Sequence, residues 1–325
     1  MATDLSTSKV NQRNIPLGLI DEARQHVYEA AIRTPLVRLN HDGPAEIYLK
    51  LECLQPIGSF KIRGAYNAIR KLPEHERQRG VWTVSAGNAA QGVALAARKA
   101  GTSCRVLVID AAPAAKLDAI RRLGAEYVKA SYDDCWKALS DRSHPAMTGV
   151  FVHPFEDDEF IAGNASVGLE ILEDLPDVDA VVAGFGGGGL SCGIAAALKE
   201  RGSHAKVFAA EPETAAPLAY SLARGSAQSF PNWQASWVDG CGGKSVFPRM
   251  WALASHLLAG SIVPTLEETR QAMRLVALRN HVIAEGAGAC AVAAGLSGKC
   301  GEGKIVCVVS GGNIDLAKFS ELILA

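Results

Sequence analysis

The stretch that decides the fold is VVAGFGGGGLSCG, residues 181–193. An apolar, Val-rich run ends in four consecutive glycines and reopens as an apolar helical pattern. Glycine weakens local structure unless something needs the bare backbone. A strand that turns through glycines into a helix start offers free N–H groups and the positive end of the helix dipole to an anion. Two more segments share the layout: TVSAGNAAQG at 83–92 and VVSGGNID at 308–315. In a parallel sheet such loops emerge at the carboxyl edge, where α/β proteins bind ligands. Three of them imply a ligand, or ligand pair, with several negative groups. The plainer alternative at each is a tight turn with no ligand, which accounts least well for Gly186 to Gly189.

Working outward, short apolar runs alternate with helical patterns. Strands are expected at 47–51, 81–84, 105–109, 150–153, 178–183, 206–210 and 304–309. Helices are expected at 89–99, 116–123, 166–172, 191–201, 267–280 and 287–296. The strands are nearly continuous in apolarity, as parallel strands buried on both faces are. Gly101, Gly124 and Gly202 fall where helix C-caps fall. Residues 80–153 hold a strand–helix series of their own. The fold read from this is α/β, with two open, mostly parallel twisted sheets and flanking helices. A small domain (76–153) is inserted in a larger one (1–75 and 154–325), with the ligand cleft between them.

Composition narrows the function classes. Lys plus Arg number 33 and Asp plus Glu 34. That balance argues against a nucleic-acid or membrane-surface partner. No apolar run is long enough for a membrane helix. The polar start lacks a secretory pattern. The eight cysteines form no CxxC pair, so they read as reduced core thiols of a cytoplasmic protein, and no metal site is expected.

Gly184, Gly186 and Gly189 also satisfy GxGxxG, and Glu211 ends the next strand. This is the layout of a dinucleotide site and supports an NAD enzyme as a rival reading. It leaves unexplained QPIGSFKIRGAYNAIRKL, residues 55–72. There a turn leads into an amphipathic helix with Lys61 in its first turn. The helix dipole and burial both lower an amine's pKa, as a lysine that forms an imine requires. The plainer alternative is a solvated surface lysine.

Residues 59–65 (SFKIRGA), 85–88 (SAGN), 186–189 and 310–313 (SGGN) together resemble the serine/threonine dehydratases. These are pyridoxal 5′-phosphate (PLP) enzymes of the tryptophan-synthase-β fold. The resemblance runs over nearly the whole chain in the family's order. HPFEDDEFIAG (153–163) and EGAGA (285–289) add to it. It implies that PLP sits in the cleft as a Schiff base on Lys61, with Phe60 against the ring. It gives Asn88 to the phenolic oxygen, Gly186, Gly187, Gly188, Gly189 and Leu190 to the phosphate, and Ser310 to the pyridine nitrogen. Ser85, Ala86, Gly87, Asn88 and Ala89 would clasp the substrate carboxylate. The implied reaction is α,β-elimination from a β-hydroxy-α-amino acid, giving a 2-oxo acid and ammonia, with Lys61 as the base. Racemisation or β-replacement on the same fold is the alternative.

Several positions depart from the family pattern. Racemases carry Ser at the position of Ala86, so this chain favours elimination. Ala89 stands where many members have His, which leaves room for a bulkier substrate such as threo-3-phenylserine beside threonine and serine. Residues 164–166 are Asn-Ala-Ser in place of Gln-Gly-Thr, which alters the expected active-site wall. Pro217 replaces an acid of the family's cation site, so Glu211 reads as structural. Glu285 is either an acid near the cofactor or a carboxylate suited to a helix N-terminus. His153 reads as a satisfied structural histidine. Lys244 lies on the surface or at the entrance. An end at residue 325 leaves no regulatory extension and suits a catabolic enzyme. A homodimer is expected from the resemblance alone.

Overall fold

A computed structural model describes residues 12–324. The chain runs through α1 (Leu17–Val27), β1 (Leu36–Arg38), β2 (Glu46–Lys50), α2 (Lys61–Arg70), α3 (Glu74–Arg77), β3 (Val81–Val84), α4 (Asn88–Lys99) and β4 (Cys104–Ile109). It continues through α5 (Ala114–Arg122), β5 (Glu126–Ala130), α6 (Tyr132–Asp141), β6 (Val150–Phe151), α7 (Asp158–Asp174), β7 (Ala180–Gly184), α8 (Gly189–Glu200) and β8 (Lys206–Ala210). It closes with α9 (Pro217–Arg224), α10 (Pro248–Leu257), β9 (Gly260–Ile262), α11 (Leu266–Asn280), α12 (Gly286–Leu296), β10 (Lys304–Val308) and α13 (Leu316–Leu324).

Six strands form one sheet in the order β1-β2-β10-β7-β8-β9, and four form a second in the order β5-β4-β3-β6. Every pairing is parallel except β1 with β2. β10 lies between β2 and β7, with Ile305 opposite both Ile47 and Ala180. Its Ile305, Val306, Cys307 and Val308 are all buried, because helices cover both faces of that sheet. Each such side chain contributes about 1.5–3 kcal/mol. The pattern read as continuous apolarity is therefore sandwiching between α7 and α8 on one face and α11 and α12 on the other.

The expected helix at 166–172 is far longer, Asp158–Asp174. Gly163 and Gly168 are close-packing points within it. A Cβ on Gly163 would stand 2.5 Å from the Arg63 carbonyl oxygen, and one on Gly168 3.0 Å from that of Ile194. The strand at 150–153 is only Val150–Phe151. β1, β5 and β9 were not legible, being short or polar edge strands. Gly101, Gly124 and Gly202 do take positive φ after their helices. All eight cysteines are free, and all but Cys53 and Cys300 are buried.

Below the sheet edge, Arg63 is fully buried between Glu52 (2.7 Å) and Glu170 (2.6 Å), and Lys50 pairs with Glu170 at 2.7 Å. Glu52 accepts from Thr34, and Arg63 also donates to the Ser166 hydroxyl. This network fixes α2 against α7, just below the turn that carries Lys61.

Candidate active site

β7 and β10 are neighbours, so the loops leaving them emerge side by side. The loop leaving β3 belongs to the other sheet and faces them. α2 starts at Lys61 without a side-chain cap, and its position is held by Phe60 N–H donating to the Ser310 carbonyl at 3.0 Å.

Lys61 Nζ donates to the carbonyl oxygen of Pro154 at 2.7 Å. It lies 5.1 Å from the ring centroid of Phe60 and 5.5 Å from that of Phe160. Burial pushes its amine down to about 8, against an upward pull from the Glu285 carboxylate. Desolvation by the walls lowers the amine, in the direction expected from its place at a helix start. An amine at this value is about one-tenth free base at pH 7, against less than about one-thousandth for an ordinary lysine.

The tetraglycine loop leads from β7 into α8. Gly188 caps the helix at φ +89°, a conformation open to glycine at no steric cost. A Cβ on Gly187 would fall within the ring of Phe155. Among the described residues, the amides of Gly186, Gly187, Gly188, Gly189 and Leu190 find no protein acceptor. Main-chain donors held together without acceptors at a helix start suit an anion. Leu190 offers only its amide, since its side chain is buried in the core.

On the opposite side Ser85 Oγ accepts from Gly87 N–H at 3.1 Å, and Asn88 opens α4. The amides of Asn88 and Ala89 also lack acceptors among the described residues. Asn88 Nδ2 donates to Glu285 Oε1 at 2.7 Å, and Asn88 Oδ1 accepts from Asn313 Nδ2 at 2.8 Å. One N–H of the Asn88 amide remains for a ligand. Glu285 occupies the N-cap of α12, at a helix terminus as one of its two readings has it, but makes no capping bond with its side chain. Its carboxyl turns to Asn88 instead. Burial, with Asp239 adding, raises it to about 8, so it is mostly protonated near neutral pH.

Other expectations change. Asn164 and Ser166 are fully buried and bond to Gly64, Gly189 and Arg63. They lie behind the site, not in its wall, because α7 runs between α2 and α8. His153 is buried among Phe151, Phe155 and Phe247. Its Nδ1 accepts from Glu156 N–H at 3.0 Å, which puts the proton on Nε2, and Nε2 has no partner. The histidine is structural but only half satisfied. Burial first, then Arg142 and Lys61, push it down to about 2, so it stays neutral. Lys244 stands 4.3 Å from the rings of both Tyr132 and Trp233, with its charge against aromatic faces. Lys116 pairs with Asp239 at 2.8 Å.

Glu211 accepts from Leu218 N–H, Ala219 N–H and Ser261 Oγ at 2.7, 2.8 and 2.6 Å. Both oxygens are spent on the fold, so the ribose acid of the dinucleotide reading has its capacity taken. Pro154, Phe155 and Asn313 were not singled out from sequence. Pro154 acts through its carbonyl, which leaves no mark in side-chain identity. Asn313 stood inside a quoted motif and was given no role.

Cofactor chemistry can be tested against this donor set. A desolvated amine, a run of unsatisfied amides at a helix start and a spare Asn88 N–H fit the imine, phosphate and ring of PLP. No transmembrane-length apolar helix and no metal-ligating cluster occur among the described residues.

The family model of the pyridoxal-phosphate dependent enzymes matches residues 27–311. An L-threonine ammonia-lyase from Thermotoga maritima is 39% identical over 315 residues, covering 95% of this chain and 78% of the relative. The catabolic L-threonine dehydratase of Escherichia coli strain K12 is 35% identical over 321 residues, covering 95% and 97%. Among solved structures, maize serine racemase superposes with a TM-score of 0.88 at 30% identity, over 96% of this chain and 98% of that one. The processed form of threonine deaminase isoform 2 from Solanum lycopersicum gives 0.85 at 28%, over 96% and 95%. With these likenesses and the site geometry in agreement, the chain belongs to the pyridoxal-phosphate dependent enzymes and, within them, to the serine/threonine dehydratase family.

Proposed function

We propose that this enzyme converts a β-hydroxy-α-amino acid to its 2-oxo acid and ammonia, the water lost in α,β-elimination being regained on imine hydrolysis, with L-threonine as the first substrate and L-serine and L-threo-3-phenylserine as further candidates. The observation that carries the reading is Lys61. It is a desolvated amine with a neutral acceptor, set beside a loop of unsatisfied amides. The names of the threonine-directed relatives support the choice of substrate.

PLP, when bound, supplies an electron sink for charge at the substrate α-carbon. The protein does the rest. Residues 186–190 hold the phosphate through backbone amides. The first turn of α4, with Ser85, takes the substrate carboxylate. Lys61, its amine lowered by burial and shielded from water, would take the α-proton as the general base. Ser310 would offer the pyridine nitrogen a hydroxyl, which cannot protonate it as a carboxylic acid would, and this would favour prompt loss of the β-hydroxyl. Ala86 carries no proton donor for the opposite face, which disfavours racemisation. The division into 1–75 with 154–325 and an inserted 76–153, and assembly as a homodimer in the cytoplasm, are part of the same proposal.

The test is to add L-threonine, L-serine and L-threo-3-phenylserine separately to the PLP-loaded enzyme and assay ammonia and 2-oxo acid. Release of both, abolished in Lys61→Ala, is the expected result. Conversion of L- to D-amino acid without ammonia would replace the reading with a racemase.

A further inference from the structure

We infer that Asn164 is a positioning residue that sets the Lys61 turn at a fixed separation from the tetraglycine loop. The inference rests on the proposed PLP reading. The geometry comes from one fully buried side chain with two bonds. Asn164 Oδ1 accepts from Gly64 N–H at 3.1 Å, and Asn164 Nδ2 donates to the Gly189 carbonyl at 3.3 Å. Gly64 lies in the first turns of α2, three residues from Lys61. Gly189 is the first residue of α8 and the last of the four glycines.

α7 is the spacer that carries Asn164 between the two elements. On one side Gly163 packs against the α2 backbone. A Cβ there would stand 2.5 Å from the Arg63 carbonyl oxygen and 2.8 Å from Gly64 Cα. On the other side Gly193 of α8 packs against α7. A Cβ there would stand 2.8 Å from the Ile161 carbonyl oxygen. Backbone meets backbone on both flanks, so little side-chain compliance separates the lysine turn from the phosphate loop. At the point between them, Asn164 spends its amide oxygen on one and its amide nitrogen on the other. The Gly64 N–H also departs from the local helix pattern. Arg63 N–H donates to the Phe60 carbonyl at 3.0 Å, while Gly64 N–H turns to Asn164.

The reason to fix this separation lies in how a two-ended ligand binds. PLP is held at its aldehyde carbon by Lys61 and at its phosphate by the loop. Joining two anchors in one molecule adds affinity only when both sites are spaced to meet them. A ligand with one anchor gains nothing from the spacing. Pyridoxal, which lacks the phosphate, is that ligand.

The experiment uses the full-length chain stripped of cofactor and titrates the visible band with PLP and, separately, with pyridoxal. Asn164→Ala is expected to weaken PLP by about 10-fold or more, the scale of lost buried hydrogen bonds, with pyridoxal changed by less than about 3-fold. Asn164→Gln, which keeps both bonding groups, is expected to recover most of the PLP affinity. Asn164→Leu keeps the volume without the bonds and carries the same test if the alanine variant does not fold. Equal losses for both aldehydes, or no loss for PLP, would overturn the inference while leaving the PLP reading intact. A wild-type chain that gives no band with PLP would overturn both.

Discussion

Lys61 Nζ donates to the carbonyl oxygen of Pro154 at 2.7 Å. A carbonyl satisfies the amine without holding its charge as a carboxylate would. Burial can then lower the amine to about 8.

The uptake of PLP by the stripped chain should follow the free-base fraction of Lys61. Its rate should rise about tenfold per pH unit below about 8 and level off above it. The check is stopped-flow absorbance across pH. A rate that keeps climbing to the range of an ordinary lysine would show the amine to be solvated.

Glu285 is raised from 4.5 to about 8 in the fold. Between those values the folded state keeps a proton that the unfolded state has lost. Its contribution is therefore fully present below 4.5 and is lost as pH rises toward 8. Glu285→Gln should remove a slope of up to about 1.4 kcal/mol per pH unit in that window. Denaturant unfolding of both proteins across the window measures it, and identical slopes would contradict the assignment.

Gly187→Ala should push a methyl group into the Phe155 ring. Overpacking of this kind costs about 1–3 kcal/mol, and the loop must shift to relieve it. PLP affinity should fall, and Phe155→Ala in the same chain should restore part of it. Unchanged PLP affinity in the single variant would mean that the loop does not hold the phosphate.

Ser310→Asp should place an acid where the ring nitrogen needs only a hydroxyl. Elimination from L-threonine should slow and transamination should appear in product analysis. Faster elimination with no transamination would sink the account given for Ser310.

Arg63→Ala would leave Glu52 and Glu170 buried without their partner. Breaking a buried pair from one side costs about 3–5 kcal/mol. Chemical denaturation should report a loss of this size. A loss below about 1 kcal/mol, as for an exposed pair, would mean the network is open to water.

What was legible in the sequence followed from how each signal arises. β7, β8 and β10 are buried on both faces, so their apolarity runs unbroken and their bounds came within a residue or two. The glycine turns were visible because bare backbone has a composition. β5, with the sequence EYVKA, is a half-exposed edge strand and reads as neither element. The helix expected at 166–172 covers under half of α7, whose Gly163 and Gly168 sit where other backbones approach closely. Asn164 and Ser166 read as wall residues because sequence position does not say which layer a helix occupies. Pro154 contributes a carbonyl that every residue possesses. Its role needed coordinates.

Residues 152–157 connect β6 of the small sheet to α7, the helix behind Lys61. The same few residues supply the Lys61 acceptor and the ring packed on Gly187. One of the two chain crossings between the sheets is therefore also part of the candidate site's lining. Any rotation of the four-stranded sheet pulls on the lysine's hydrogen bond and on the glycine loop together. A substitution that loosens this connection should therefore change how fast ligands exchange even where it touches none of them.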